Sequence, residues 1–167
     1  MHIKRFHIFS VIISLFFIIT VSAQFDQEME KELIPPVSFK IIQGKVPIKA
    51  GEESTLKIKF SVLPHYHINV IPAFKISAKT KDPGIKITAT PVFDKNEIKK
   101  AKKLVAEGKA AYLDTSKEYP FKISITGVSG VSKLDVVWTT VLYYCSEKDG
   151  LCYRKEIKSS NKLEVGK

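Results

Sequence analysis

The chain has 167 residues, 44% of them hydrophobic, with 27 Lys and Arg against 17 Asp and Glu for a formal net charge of +10. That length suits one domain with a buried core of its own. The basic excess is Lys spread along predicted strands (Lys57, Lys59, Lys86 and Lys122), which keeps sheets soluble and blunts their edges. A nucleic-acid binder would cluster Arg with exposed aromatics. Here only Arg154 follows residue 23, so nucleic acid is not an expected partner.

The amino terminus carries Lys4 and Arg5, an apolar run from Ile8 to Ile19, and then Val21-Ser22-Ala23. A short positive segment, a short apolar core and a small-x-small end predict a secretory signal peptide over 1–23. A membrane anchor needs roughly 20 apolar residues, so the mature form is expected outside the cytoplasm, periplasmic or secreted, and not inserted in a membrane. Cleavage after Ala23 leaves 167 − 23 = 144 residues carrying 25 − 17 = +8 charges. Residues 24–36, polar and closed by Pro35-Pro36, read as a leader to a domain over 37–167.

Beyond the leader, alternation with a period of two dominates, the mark of half-buried strands. Leu56, Ile58, Phe60 and Val62 alternate with Lys57, Lys59 and Ser61. Ile85, Ile87 and Ala89 alternate with Lys86 and Thr88, and Phe121, Ile123 and Ile125 with Lys122, Ser124 and Thr126. Lys133–Tyr144 is apolar on both faces and reads as a central strand. Turns are signalled at Ala50-Gly51-Glu52, Asp82-Pro83-Gly84, 127–130 and Asp149-Gly150. Many short strands punctuated in this way predict an all-β, immunoglobulin-like β-sandwich. One insertion interrupts it. Asn96–Glu107 has Ile98, Ala101, Leu104 and Val105 at helical spacing before Gly108, and predicts a short helix or ordered loop.

The two cysteines, Cys145 and Cys152, flank the Asp149-Gly150 turn, with the first ending the central strand and the second starting the return. A hairpin brings such a pair within the separation a disulfide allows, and export permits oxidation. Three chemistries fit. A structural staple is the commoner use in secreted chains. A redox-active pair is the second. A metal site with His65 and His67 is the third, although the spacing matches no standard zinc motif and no metal is expected.

The segment from Tyr143 through Cys145, Gly150, Cys152 and Tyr153 resembles the amino-terminal periplasmic domain of the thiol–disulfide interchange protein DsbD. The stretch Pro64–Val70 is similar to an upstream aromatic strand of that family, with Tyr66 and His67 at an aromatic pair and Asn69 where a Tyr is usual. The resemblance spans most of residues 35–165. The turn here is one residue longer, Arg154-Lys155 stand in place of prolines, and the stretch matching the family's aromatic-tipped cap, Leu104–Gly108, has no aromatic.

The resemblance implies thiol–disulfide exchange, electron transfer of the kind that serves cytochrome c biogenesis, without a cofactor. Cys152 would be the sulfur exchanged with partners and Cys145 the resolving one. Tyr66, His67, Asn69, Tyr143, Tyr144 and Tyr153 would form the rim, and Leu104, Val105 and Gly108 a cap. The implied partners are thioredoxin-like proteins and a membrane thiol–disulfide transporter, with oxidised periplasmic proteins as clients. The competing expectation is a secreted immunoglobulin-like binding module with an inert disulfide, since a fold does not specify a function.

Overall fold

The computed structural model describes residues 35–127 and 130–166. The predicted signal peptide lies outside them, as does the leader up to residue 34. Where apolar residues alternate, strands form: β1 (Val37–Ile42), β2 (Ile48–Lys49), β3 (Glu53–Val62), β4 (Tyr66–Ile68), β5 (Lys75–Lys79), β6 (Lys86–Pro91), β7 (Glu118–Thr126), β8 (Lys133–Ser146) and β9 (Cys152–Gly166), with one helix, α1 (Lys95–Ala106), between β6 and β7. In β3 and β7 the burial follows the sequence: Leu56, Ile58 and Phe60 point inward, as do Phe121, Ile123 and Ile125, while the intervening lysines face water.

The strands make two sheets. One has the order β1-β3-β7-β6, the other β2-β9-β8-β4, with β5 also paired to β8. Neighbours are antiparallel except for β2, which runs parallel to β9. This is the immunoglobulin-like arrangement, with the first strand divided so that β1 joins one sheet and β2 the other. The inner faces meet over Phe60, Phe121, Trp138, Leu142 and Leu163, each almost fully buried. Phe121 of one sheet meets Trp138 of the other edge-on at 5.5 Å. Burying a side chain of that size contributes about 1.5–3 kcal/mol, so a handful of such contacts holds the layers together. The Trp138 indole N–H donates to Asn161 Oδ1 at 2.6 Å, which satisfies its polar edge. Tyr119 does the same at the mouth of β7: its hydroxyl donates to the Asp114 carbonyl at 3.0 Å, and burial pushes its pKa up to about 12.

Two expectations need adjustment. The insertion is a helix, beginning one residue earlier than the periodicity suggested because Asp94 caps it: the Asp94 carboxylate accepts from the amides of Asn96 and Glu97. It stops at Gly108, whose φ of +74° a side chain would resist. The central strand β8 runs on to Ser146, hydrogen-bonded to β9 on one side and to β4 and β5 on the other. Its second apolar row is nevertheless open, with Val137 43% exposed, because neither sheet covers that side. Among the described residues no helix is long and apolar enough to cross a membrane.

Candidate functional site

Strand β8 delivers Cys145 to one end of the sandwich, and the register fixes what lies beside it. His67 of β4 sits directly opposite Cys145, and Cys145 directly opposite Cys152 of β9. Because side chains alternate along strands, these three residues form one row across three strands on the outer face of the sheet. The two sulfurs are bonded, with the Cα atoms 4.0 Å apart. The hairpin is closed by Ser146 N–H to the Leu151 carbonyl at 2.9 Å and Gly150 N–H to the Ser146 carbonyl at 3.0 Å. Gly150 takes a φ of +68° there, which explains the glycine in the turn. The Asp149 carboxylate accepts from the Leu151 amide at 3.0 Å and the Tyr153 hydroxyl at 2.8 Å. Those bonds hold Asp149 below the usual carboxylate range and raise Tyr153.

The sulfurs differ in access. Cys145 is 9% exposed, whereas Cys152 is exposed. Both border an open cleft of about 530 Å³, shared with His67, Asn69, Val105, Gly108, Tyr112 and Glu147 among others. Asn69 places Oδ1 3.2 Å from the Cys145 sulfur. Its backbone is held by Asn69 N–H to the Tyr143 carbonyl at 2.8 Å and by a bridge to Tyr112.

His67 is fixed on two sides. Its Nε2 lies 2.6 Å from Glu147 Oε1, and its ring stacks on Tyr112 at 4.5 Å with an interplanar angle of 16°. His65, at a φ of +68°, brings Nδ1 within 3.2 Å of the other oxygen of Glu147. The two imidazoles, His67 foremost, keep Glu147 below its usual range. Glu147 N–H also donates to the His65 carbonyl at 2.8 Å. The cysteine hairpin is therefore clamped to the β4 turn through one residue.

The anticipated rim divides between the faces of the sheet. His67 and Asn69 line the cleft with the cysteines. Tyr66, Tyr144 and Tyr153 do not. Tyr144 is buried on the core face, Tyr66 meets it edge-on at 5.8 Å, and Tyr153 lies tilted at 5.5 Å on its other side. Tyr143 shares the outer face with Cys145, half-buried, and is not among the cleft-lining residues.

The anticipated cap divides too. Val105 and Gly108 line the cleft, while Leu104 faces a smaller cavity of about 230 Å³ beneath α1 with Val70, Phe93 and Tyr119. The aromatic over the cysteine end is Tyr112, which the sequence reading passed over because the irregular stretch after Gly108 has no periodicity. The pairing of Glu147 with both histidines was also missed, because only the tertiary fold brings them together. Among the described residues no group of three or more His, Cys, Asp or Glu is disposed to hold a metal.

No family model matches the chain, and no curated protein matches it. Solved structures do resemble it weakly. A FixG-related protein from Vibrio parahaemolyticus aligns over 79% of this chain and 98% of its own, at 7% identity and a TM-score of 0.38. AvmM, described as catalysing macrocyclization in alchivemycin A biosynthesis, aligns over 79% and 90%, at 7% identity and 0.32. A lipoprotein from Bacteroides thetaiotaomicron aligns over 79% and 85%, at 13% identity and 0.26. At these scores none of the three bears on the chemistry here.

Proposed function

We propose that this chain is an exported thiol–disulfide exchange domain that relays electrons through Cys145 and Cys152. The observation that carries the reading is the unequal access of the two bonded sulfurs at the mouth of an open cleft: Cys152 is exposed and Cys145 is buried. A staple has no need of a cleft, whereas an exchange site needs one sulfur that a partner's thiolate can approach in line and one that is shielded. The resemblance to the DsbD amino-terminal domain supports the same order of attack.

In the exchange, a reduced partner's thiolate attacks Cys152, forming a mixed disulfide and releasing Cys145. A second partner thiol then resolves the mixed disulfide, leaving this domain as a dithiol and the partner oxidised. The dithiol reduces an oxidised client by the same steps in reverse. A thioredoxin-like protein or a membrane thiol transporter fits as donor, and an oxidised protein outside the cytoplasm as client.

The test is a redox titration of the folded protein in glutathione or dithiothreitol buffers, followed by trapping. An exchange disulfide equilibrates with its fold intact at about −180 to −270 mV, while structural ones usually lie below about −300 mV. Cys145→Ala should trap a mixed disulfide with a thioredoxin-like partner through Cys152, and Cys152→Ala little. A disulfide that resists reduction until the protein unfolds, with neither variant trapping a partner, establishes the staple and removes the exchange reading.

A further inference from the structure

Resting on the exchange reading, we infer that His67 is the proton donor that lets the Cys145 sulfur leave, with Glu147 and Tyr112 as its positioning residues. The need arises from burial. When a partner attacks Cys152, the electron pair of the breaking S–S bond moves onto Cys145, the buried sulfur. Burial disfavours a thiolate, so the step requires a hydrogen-bond donor or a proton at that atom.

The surroundings narrow the source to His67. It is the direct cross-strand partner of Cys145, a placement that sets Cβ atoms about 4.5–5.5 Å apart, so that a small rotation of the ring or one bridging water would connect it to the sulfur. The other charged and titratable groups are committed elsewhere. Lys109 lines the cleft but pairs with Glu107 at 3.0 Å. Glu147 is an acceptor for both histidines, and His65 holds its far oxygen. Lys148 is exposed in the turn, Asp149 is bonded within the hairpin, and Tyr112 stacks on His67.

With Nε2 against Glu147, the Nδ1 edge of His67 remains for the cleft. A carboxylate, an imidazole oriented by it, and a sulfur form the arrangement in which one group aims another at the reacting atom. Asn69 completes the set, its side-chain amide beside Cys145, where the oxygen accepts from the new thiol or, after a flip, the NH₂ donates to the thiolate.

Partner thiolate, disulfide and imidazolium become a mixed disulfide on Cys152, a neutral Cys145 thiol and a neutral His67. The partner's second thiol then releases Cys152. In the reverse direction His67 takes the proton back as Cys145 attacks the mixed disulfide.

The experiment follows reduction of the folded, oxidised protein by dithiothreitol from about pH 5.5 to 8.5, across the imidazole range. Aliquots are quenched by alkylation, and rates are expressed per thiolate. The wild-type rate per thiolate should fall about tenfold as pH rises and the proton donor is lost. His67→Gln should be slow throughout and show no such fall, whereas His65→Gln should retain it. Glu147→Ala, which removes the group that orients the His67 ring, should slow reduction severalfold and flatten the fall, and it decides the matter if His67→Gln folds poorly. The same fall in His67→Gln, or an unchanged rate and fall in Glu147→Ala, overturns the assignment of His67. Reduction that is pH-independent per thiolate overturns this inference while leaving the exchange reading standing. A disulfide not reduced before unfolding removes both.

Discussion

The two faces of one sheet end differ more than their sequences suggest. On the core face, Tyr144 belongs to the hydrophobic core, with Tyr66 edge-on on one side and the more exposed Tyr153 tilted against it on the other. On the outer face, one residue away along each strand, His67, Cys145 and Cys152 form a polar row opening on a cleft. The first face is an anchor held by packing, and the second is held by hydrogen bonds, the disulfide and one stacked ring. Strand alternation lets a chain build both from adjacent residues without either compromising the other.

That separation can be broken from either side. The largest effect belongs to the anchor. Tyr144→Ala removes a ring packed between two others and should cost about 3 kcal/mol in urea denaturation. Native-state reduction of the disulfide should remain within a few-fold of wild type. Next comes the disulfide itself. Closing so short a loop contributes about 2.5 kcal/mol by the chain-entropy estimate, so the dithiol form should remain folded with its urea midpoint lowered. Loss of near-ultraviolet circular dichroism on reduction would show instead that the outer row holds the fold.

Acid sharpens the contrast further. Glu147 has its pKa lowered by His67 and His65, so its contribution is present above its unfolded value and lost as pH falls through its folded one. Thermal scans between about pH 5 and 3 should show a steeper loss in wild type than in Glu147→Gln. If the two run parallel, the clamp contributes nothing to holding the hairpin.

The two halves of the helix end should also separate. Val105→Ala opens the cleft and should speed alkylation of the reduced protein severalfold without unfolding it. Leu104→Ala, which faces the inner cavity, should lower stability and leave alkylation unchanged. The smallest effect lies at Thr140, fully buried with no hydrogen-bond partner for its hydroxyl among the described residues. Thr140→Val should be neutral or raise stability by about 0.5–1 kcal/mol in the same urea assay.

Much of this was legible in the sequence because strands write their burial with a period of two. The alternation at Leu56–Val62 and Phe121–Thr126 gave the inward residues directly, and the turn at Asp149-Gly150 gave the hairpin that pairs the cysteines. The division of the tyrosines was legible as well: in Tyr143-Tyr144-Cys145, parity alone sets Tyr144 opposite to the cysteine. A family-style rim of aromatics obscured that simpler signal.

What stayed hidden depends on pairing between distant segments. Glu147 reaches two histidines across the register of β4 and β8. Tyr112 is brought over His67 by the Asn69 bridge rather than by any local pattern. Asp94 is the intermediate case: it lies two residues before the helical periodicity begins, and its role as a cap shows only in the structure.

The divided first strand also constrains the order in which the molecule is completed. β2 has its sheet partner in the far end of β9, Ile48 beside Val165 and Lys49 beside Gly166. A chain that emerges amino terminus first, from a ribosome or through a membrane pore, must keep β2 waiting until nearly all of the domain has followed. Until then Ile48, buried in the finished fold, stands as an uncovered apolar residue on an unpaired edge. Contacts so distant in sequence close late. That edge therefore stays open until the domain is nearly complete, and the arrival of β9 fills it after bringing Cys152 to Cys145.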